Sequence, residues 1–230
     1  MKKLIISFFL FTITLNLFAE DSKLHFGLKA APSLAWLRTD TKDLESDGSI
    51  FGFSYGFITE FRFSDKYAFA TGIDITYRGG KLKFIDTQTP GVNTTITTTT
   101  STKFSLQYVE LPLTLKLKTN EIGYLTYFLQ AGIAPGMNIR ARADVDSSIQ
   151  TTISGSTTTN NPKSVEGIDV KDGINSVNLS MIIGGGLEYT LSGSTTLLVG
   201  LQFNNGFLDV FDGDEKVNSN YLALTIGILF

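Results

Sequence analysis

Eight stretches of this sequence alternate apolar and polar side chains with period two, and that pattern leaves few architectures open. Successive residues of a strand point to opposite faces, so each stretch describes a strand with one apolar and one polar side. The first sets Leu24, Phe26, Leu28, Leu34 and Trp36 against His25, Gly27, Lys29 and Ser33. The second sets Phe51, Phe53, Tyr55, Phe57, Phe61 and Phe63 against Gly52, Ser54, Gly56, Glu60 and Arg62. The others lie at 67–78, 108–118, 125–142, 177–190, 197–207 and 220–230, and the last places a terminal Phe230 on its apolar side.

Residues 1–19 have the three parts of an export signal: Lys2 and Lys3, an apolar run from Leu4 to Leu15, and a short polar-to-small segment ending at Ala19. The run is shorter than the roughly 20 residues that span a bilayer as a helix. A signal peptide over 1–19 and one domain over 20–230 are therefore expected. The mature chain would carry 17 basic and 22 acidic residues, which gives no general reason to expect a phosphate-backbone partner, so nucleic acid is excluded. Cysteine is absent, which removes disulfides, thiolate metal sites, thiol catalysis and a lipid-modified N-terminal Cys.

Behind an export signal, strands of this kind describe a sheet with lipid on one side. The even strand number, the length of the strands and the alternation of short with long connections predict an all-β fold: a transmembrane antiparallel up-and-down β-barrel of eight strands with a polar, filled interior. A soluble barrel with apolar residues inside is the rival, and alternation alone does not separate the two. The size of the apolar face, the aromatic strand ends and the terminal Phe230, read as an assembly signal, favour the membrane form. Its partners would be outer-membrane lipid and the barrel-assembly machinery during insertion. Both termini are expected on the periplasmic side, with short turns at 64–66, 119–123 and 192–194 beside them. The longer connections, 39–49, 79–103, 143–175 and 212–219, would then face outward.

The polar faces carry Lys29, Arg62, Arg78, Lys116, Arg140 and Arg142 against Glu60, Asp74, Glu110 and Glu188. An eight-stranded barrel is only wide enough to be filled by side chains, so these groups are expected to neutralise one another in a plugged lumen. The predicted core is Glu60, Arg62, Asp74, Arg78, Glu110, Lys116, Arg140 and Glu188. A narrow channel is the alternative.

No catalytic, cofactor or metal site is assignable. The single histidine, His25, begins the first strand, away from the outward rim where barrel enzymes place their catalytic groups. Asp209, Asp212, Asp214 and Glu215, and Asp144 with Asp146, are too few and too scattered for the six or more oxygens that calcium takes, and turn formation explains them. Gly184-Gly185-Gly186 lacks the Lys-Ser or Lys-Thr of a nucleotide loop and falls within a strand. Two threonine-rich tracts, 94–102 and 151–159, would extend the neighbouring strands beyond the membrane as hairpins.

Three segments carry a family likeness: Leu24-His-Phe-Gly-Leu-Lys-Ala-Ala-Pro-Ser-Leu, Tyr108-Val-Glu-Leu-Pro-Leu-Thr-Leu-Lys and Gly185-Gly-Leu-Glu-Tyr. With these the mature chain resembles the PorT-like outer-membrane β-barrel proteins of Bacteroidetes, the Tyr-x-Glu-x-Pro-x-x-x-Lys element being the most characteristic. The resemblance implies a barrel of about eight strands without a cofactor. One branch of that family is linked to protein secretion and gliding, which would make the chain a secretion accessory. The expected role is non-enzymatic, structural or surface-interacting through the outward loops, with an unidentified surface or secretion-system partner; a lipid-active enzyme ranks below both.

Overall fold

The computed structural model describes residues 23–41, 44–91, 93–160, 163–213 and 215–230; the expected signal peptide lies outside them. Eight staves follow in chain order: β1 (Leu24–Thr39), β2 (Ile50–Ser64), β3 (Tyr67–Gly91), β4 (Thr94–Glu110 continued by Leu113–Lys118), β5 (Leu125–Ile153), β6 (Val177–Ser192), β7 (Thr195–Gly206) and β8 (Val217–Leu229). Each pairs antiparallel with the next, and β8 returns to β1 from Gly27↔Leu229 to Thr39↔Val217, so the sheet closes and no stave is left as an edge. Pro112 interrupts the ladder of β4, having no N–H to donate, yet the register holds across it (Asp74↔Glu110, Thr71↔Leu113). The two pieces are one stave.

The chain begins and ends at one mouth of the barrel, the terminal end, where the 64–66 and 192–194 turns also lie. Phe26 and Phe230 exchange backbone hydrogen bonds there, at 2.7 and 3.3 Å. At the opposite mouth, the loop end, the segments 79–103 and 143–175 do more than connect strands. β3 and β4 run on paired as far as Gly91↔Thr94, and β5 follows β4 to Thr94↔Ile153. Leu44–Gly48 adds to the β3 side, while Ser156–Thr159 and Lys163–Asp169 fold back along β5. Both threonine tracts are thus strands in a sheet raised above the barrel, as their β-propensity requires.

Side-chain alternation sorts the two surfaces. Aliphatic residues such as Leu28, Ile73, Leu115, Leu129 and Leu224 stand exposed on the outside, Leu129 at 66%. Aromatic rings border them at both mouths: Phe63 stacks on Tyr67 and Tyr124 lies against Tyr189 at the terminal end, Trp36 stacks on Phe203 and Tyr55 on Tyr77 toward the loop end. From Phe26 to Trp36 along a stave tilted by about 40°, the apolar belt is roughly 25 Å high, the hydrocarbon thickness. A water-soluble barrel would invert this sorting. The polar faces point inward, and that excludes the soluble rival.

The pairing of β5 departs from simple alternation at one place. Gln107 faces Arg140 but Tyr108 faces Asn138, leaving Ile139 as an extra residue, a β-bulge. Below it Asn138 points inward; above it the inward positions are Ala141 and Ala143, both buried. Arg140 and Arg142 consequently point outward and are exposed. The expectation that Arg140 belongs to the lumen core is corrected here: a single inserted residue reverses every face beyond it.

Candidate functional site: the lumen

Near the terminal end five charged side chains from three staves meet. Glu60 on β2 accepts from Lys116 Nζ at 2.8 Å, Lys118 Nζ at 2.6 Å and Arg62 Nε at 2.8 Å. Glu188 on β6 accepts from Lys118 at 2.6 Å and from Lys116, with Arg62 at 3.6 Å. Lys116 and Glu60 are both at 0% exposure, so these charges have exchanged water entirely for one another. Three cations face two anions. Lys118 lies outside the core predicted from the sequence, although its place on the polar side of the fourth stretch, two residues from Lys116, is a signal for it.

Above this cluster sits an apolar layer of Ile58, Phe128, Leu198 and Leu229. Lys116 Nζ lies 4.1 Å from the centre of the Phe128 ring, joining the two layers by a cation–π contact. The ring fits because two facing residues have no side chain: a Cβ on Gly186 would lie 3.0 Å, and one on Gly200 3.1 Å, from its tip. The glycine run in β6 therefore makes room for Phe128.

Farther up, Lys29 Nζ is 2.7 Å from Asp74, and Gln130 donates to Gln202 at 3.2 Å. Between these levels is a cavity of about 30 Å3, lined by Phe128, Thr114, Gln130 and Gln202 among others, the size of a water molecule or two. The next level is built on Arg78 and Glu110, 3.1 Å apart and both buried. Arg78 lies 4.2 Å from the Tyr108 ring centre and 5.6 Å from that of Tyr221. Glu110 also accepts from the Thr76 hydroxyl at 2.8 Å and the Tyr221 hydroxyl at 3.3 Å. Leu37, Leu82, Leu106, Ala141, Ile174, Val210 and Val217 then close the loop end with a second apolar layer.

The structure thus brings together Glu60, Arg62, Lys116 and Glu188 in one cluster and Arg78 with Glu110 in another, pairs Asp74 with Lys29, and excludes Arg140. In the 108–116 motif, Tyr108, Glu110, Pro112 and Lys116 all occupy lumen positions, since their spacings are even. His25 faces Glu60 across β1 and β2, and its Nδ1 is buried without a hydrogen-bond partner. Among the described residues no group of three or more His, Asp or Glu side chains is placed to hold a metal; Asp214 lies outside them.

The family model described as an outer membrane protein beta-barrel domain matches residues 18–212. The chain belongs to this family. As an outer membrane beta-barrel protein it is an integral protein of that membrane, in keeping with its apolar exterior. Solved structures similar to it include Neisserial surface protein A, at 17% identity over 90% of this chain and 97% of that one with a TM-score of 0.45. OprG of Pseudomonas aeruginosa has 10% identity over 91% and 96% of the two chains with a TM-score of 0.42. Ail of Yersinia pestis has 11% identity over 90% and 98% with a TM-score of 0.35. No curated protein matches the sequence.

Proposed function

We propose that this outer-membrane barrel is a non-enzymatic anchor that displays the sheet formed by its extended β3, β4 and β5 strands at the cell surface, where that sheet meets a partner. The observation that carries the reading is the contrast between the two halves of the molecule. The lumen is blocked by two apolar layers with ion clusters beside each, and the cavity between them has a volume of only about 30 Å3. The loop end, in contrast, extends three adjacent staves far past the lipid belt.

Both termini lie in the periplasm on this reading, which is supported by the even number of staves and the export-like N-terminus. Outer-membrane lipid wets the belt, and the barrel-assembly machinery receives the strand ending at Phe230. The 108–116 motif, by which the chain resembles PorT-like barrels, supplies lumen-filling residues, so kinship with that Bacteroidetes family would be compatible with a structural role, whether or not the chain serves secretion. Against an enzyme stands His25, whose neighbours at the terminal end are the ion cluster rather than a nucleophile.

Surface proteolysis of intact cells tests the display. Cleavage within 79–103 or 143–175, with the remaining barrel protected, is the expected result; protection of both segments until the outer membrane is opened would refute it.

A further inference from the structure

The bulge at Ile139 turns Arg140 and Arg142 outward at the level where the apolar belt ends. On the outer surface of β3, β4 and β5, the last lipid-level row is Ile75, Val109 and Met137; the next holds Tyr77, Gln107 and Arg140, and above it come Arg142 and then Lys81 beside Lys103. Rows on one face are about 7 Å apart along a strand and neighbouring strands about 4.8 Å apart, so Arg140 and Arg142 stand about one row apart, close enough to share one phosphorylated headgroup, with Lys81 one row farther and two strands across. Lys103 is held by Asp144 at 3.3 Å, and Asp144 also accepts from the Gly167 N–H at 2.8 Å. Asp169 neighbours Arg142 in register, but its carboxylate accepts from the Lys171 N–H at 3.0 Å. Arg140, Arg142 and Lys81 have no carboxylate within ion-pair distance among the described residues, and all three are exposed.

We infer that this patch binds the phosphorylated headgroup of a lipid in the leaflet at the loop end. Three observations converge on that occupant. The patch sits at the upper border of the lipid belt, marked by Tyr77, where phosphate groups lie. Its charge opposes that of an otherwise acidic chain, whose sequence carries a net charge of −3. And it is confined to one side: the outward arginine at the same mouth of β1, Arg38, is near Asp40 at 3.8 Å, whereas the neighbouring outward positions on β2 and β7 hold Phe51 and Phe207. Guanidinium groups match phosphate through parallel N–H donors, which makes the arginines the principal contacts. The inference rests on the membrane placement of the belt and on the proposed orientation, in which the loop end meets the outer leaflet.

The test uses the full mature chain folded in neutral detergent, with bisphosphorylated lipid A and its dephosphorylated form as probes, and native mass spectrometry to count bound lipid. The wild type is expected to bind the phosphorylated form about tenfold more tightly or better. R140Q/R142Q should lose that preference, while R38Q keeps it. Heat-modifiable gel mobility shows whether each variant is a folded barrel, which separates failure of the site from failure of the membrane reading. Equal binding of the two lipids, an unchanged preference in R140Q/R142Q, or displacement of the lipid by millimolar inorganic phosphate would each overturn the inference, the last by assigning the patch to soluble anions.

Discussion

The Lys116 ammonium lies 2.8 Å from Glu60 Oε2 with neither side chain reaching solvent, in a cluster where three cations share two carboxylates. That imbalance makes the cluster's response to substitution directional. Glu60→Gln leaves Lys116, Lys118 and Arg62 around Glu188 alone, an uncompensated buried charge worth about 3–5 kcal/mol of lost stability. Lys116→Met leaves two cations on two anions and should cost clearly less. Urea unfolding in lipid vesicles, followed by gel mobility, compares the two; equal losses would show that the cluster is not organised by charge.

Arg78 and Glu110 form the second buried pair, 3.1 Å apart. Removing either partner strands the other, so Arg78→Met and Glu110→Leu should each destabilise by about 3–5 kcal/mol. The double variant should lose much less than the sum, because an apolar pair carries no desolvated charge. Strict additivity in a double-mutant cycle would contradict the pairing.

The bulge at Ile139 predicts a labelling pattern, and the cysteine-free sequence makes it readable without background. In detergent, R140C and R142C should react quickly with a water-soluble maleimide, and A141C, buried at 1%, should not. In intact cells R142C should react and K66C should require permeabilisation, if the loop end faces outward. Reaction at Ala141 in place of Arg142 would restore the unbroken alternation that the structure lacks.

Phe230 exposes 57% of its surface and contributes two backbone hydrogen bonds to Phe26. Deleting it should change refolded stability by no more than about 1–2 kcal/mol, the worth of two hydrogen bonds at a strand end. Insertion in cells should fall much further if, as proposed, the assembly machinery receives the strand ending at Phe230. A refolding defect as large as the cellular one would make Phe230 a structural residue and remove its role as a signal.

These contrasts also mark what the sequence exposes and what it hides. Period-two alternation located all eight staves and put Glu60, Asp74, Arg78, Glu110, Lys116 and Glu188 on one surface, because a stave facing lipid on one side and a packed lumen on the other constrains every second residue. It failed at Arg140. A bulge leaves the composition of both faces almost unchanged: Met137, Ile139, Arg140 and Arg142 read equally well as continued alternation. The continuation of β3 to Gly91 and β5 to Ile153 was only partly legible, since beyond the belt neither face is lipid-bound and the apolar period fades. Partner choice within the lumen was hidden as well, for it depends on which staves face across the barrel and not on order along the chain.

On the proposed reading the lumen is sealed and the molecule acts through its outer surface. Single-channel recording in planar bilayers reads the seal itself. Purified, heat-modifiable protein should give no steady conductance steps, and Phe128→Ala should give none either, because the Leu37, Leu82 and Leu106 layer still closes the loop end. Reproducible steps from the wild type that disappear on replacing Arg78 or Glu110 would place an ion path through the barrel and rule out a sealed lumen.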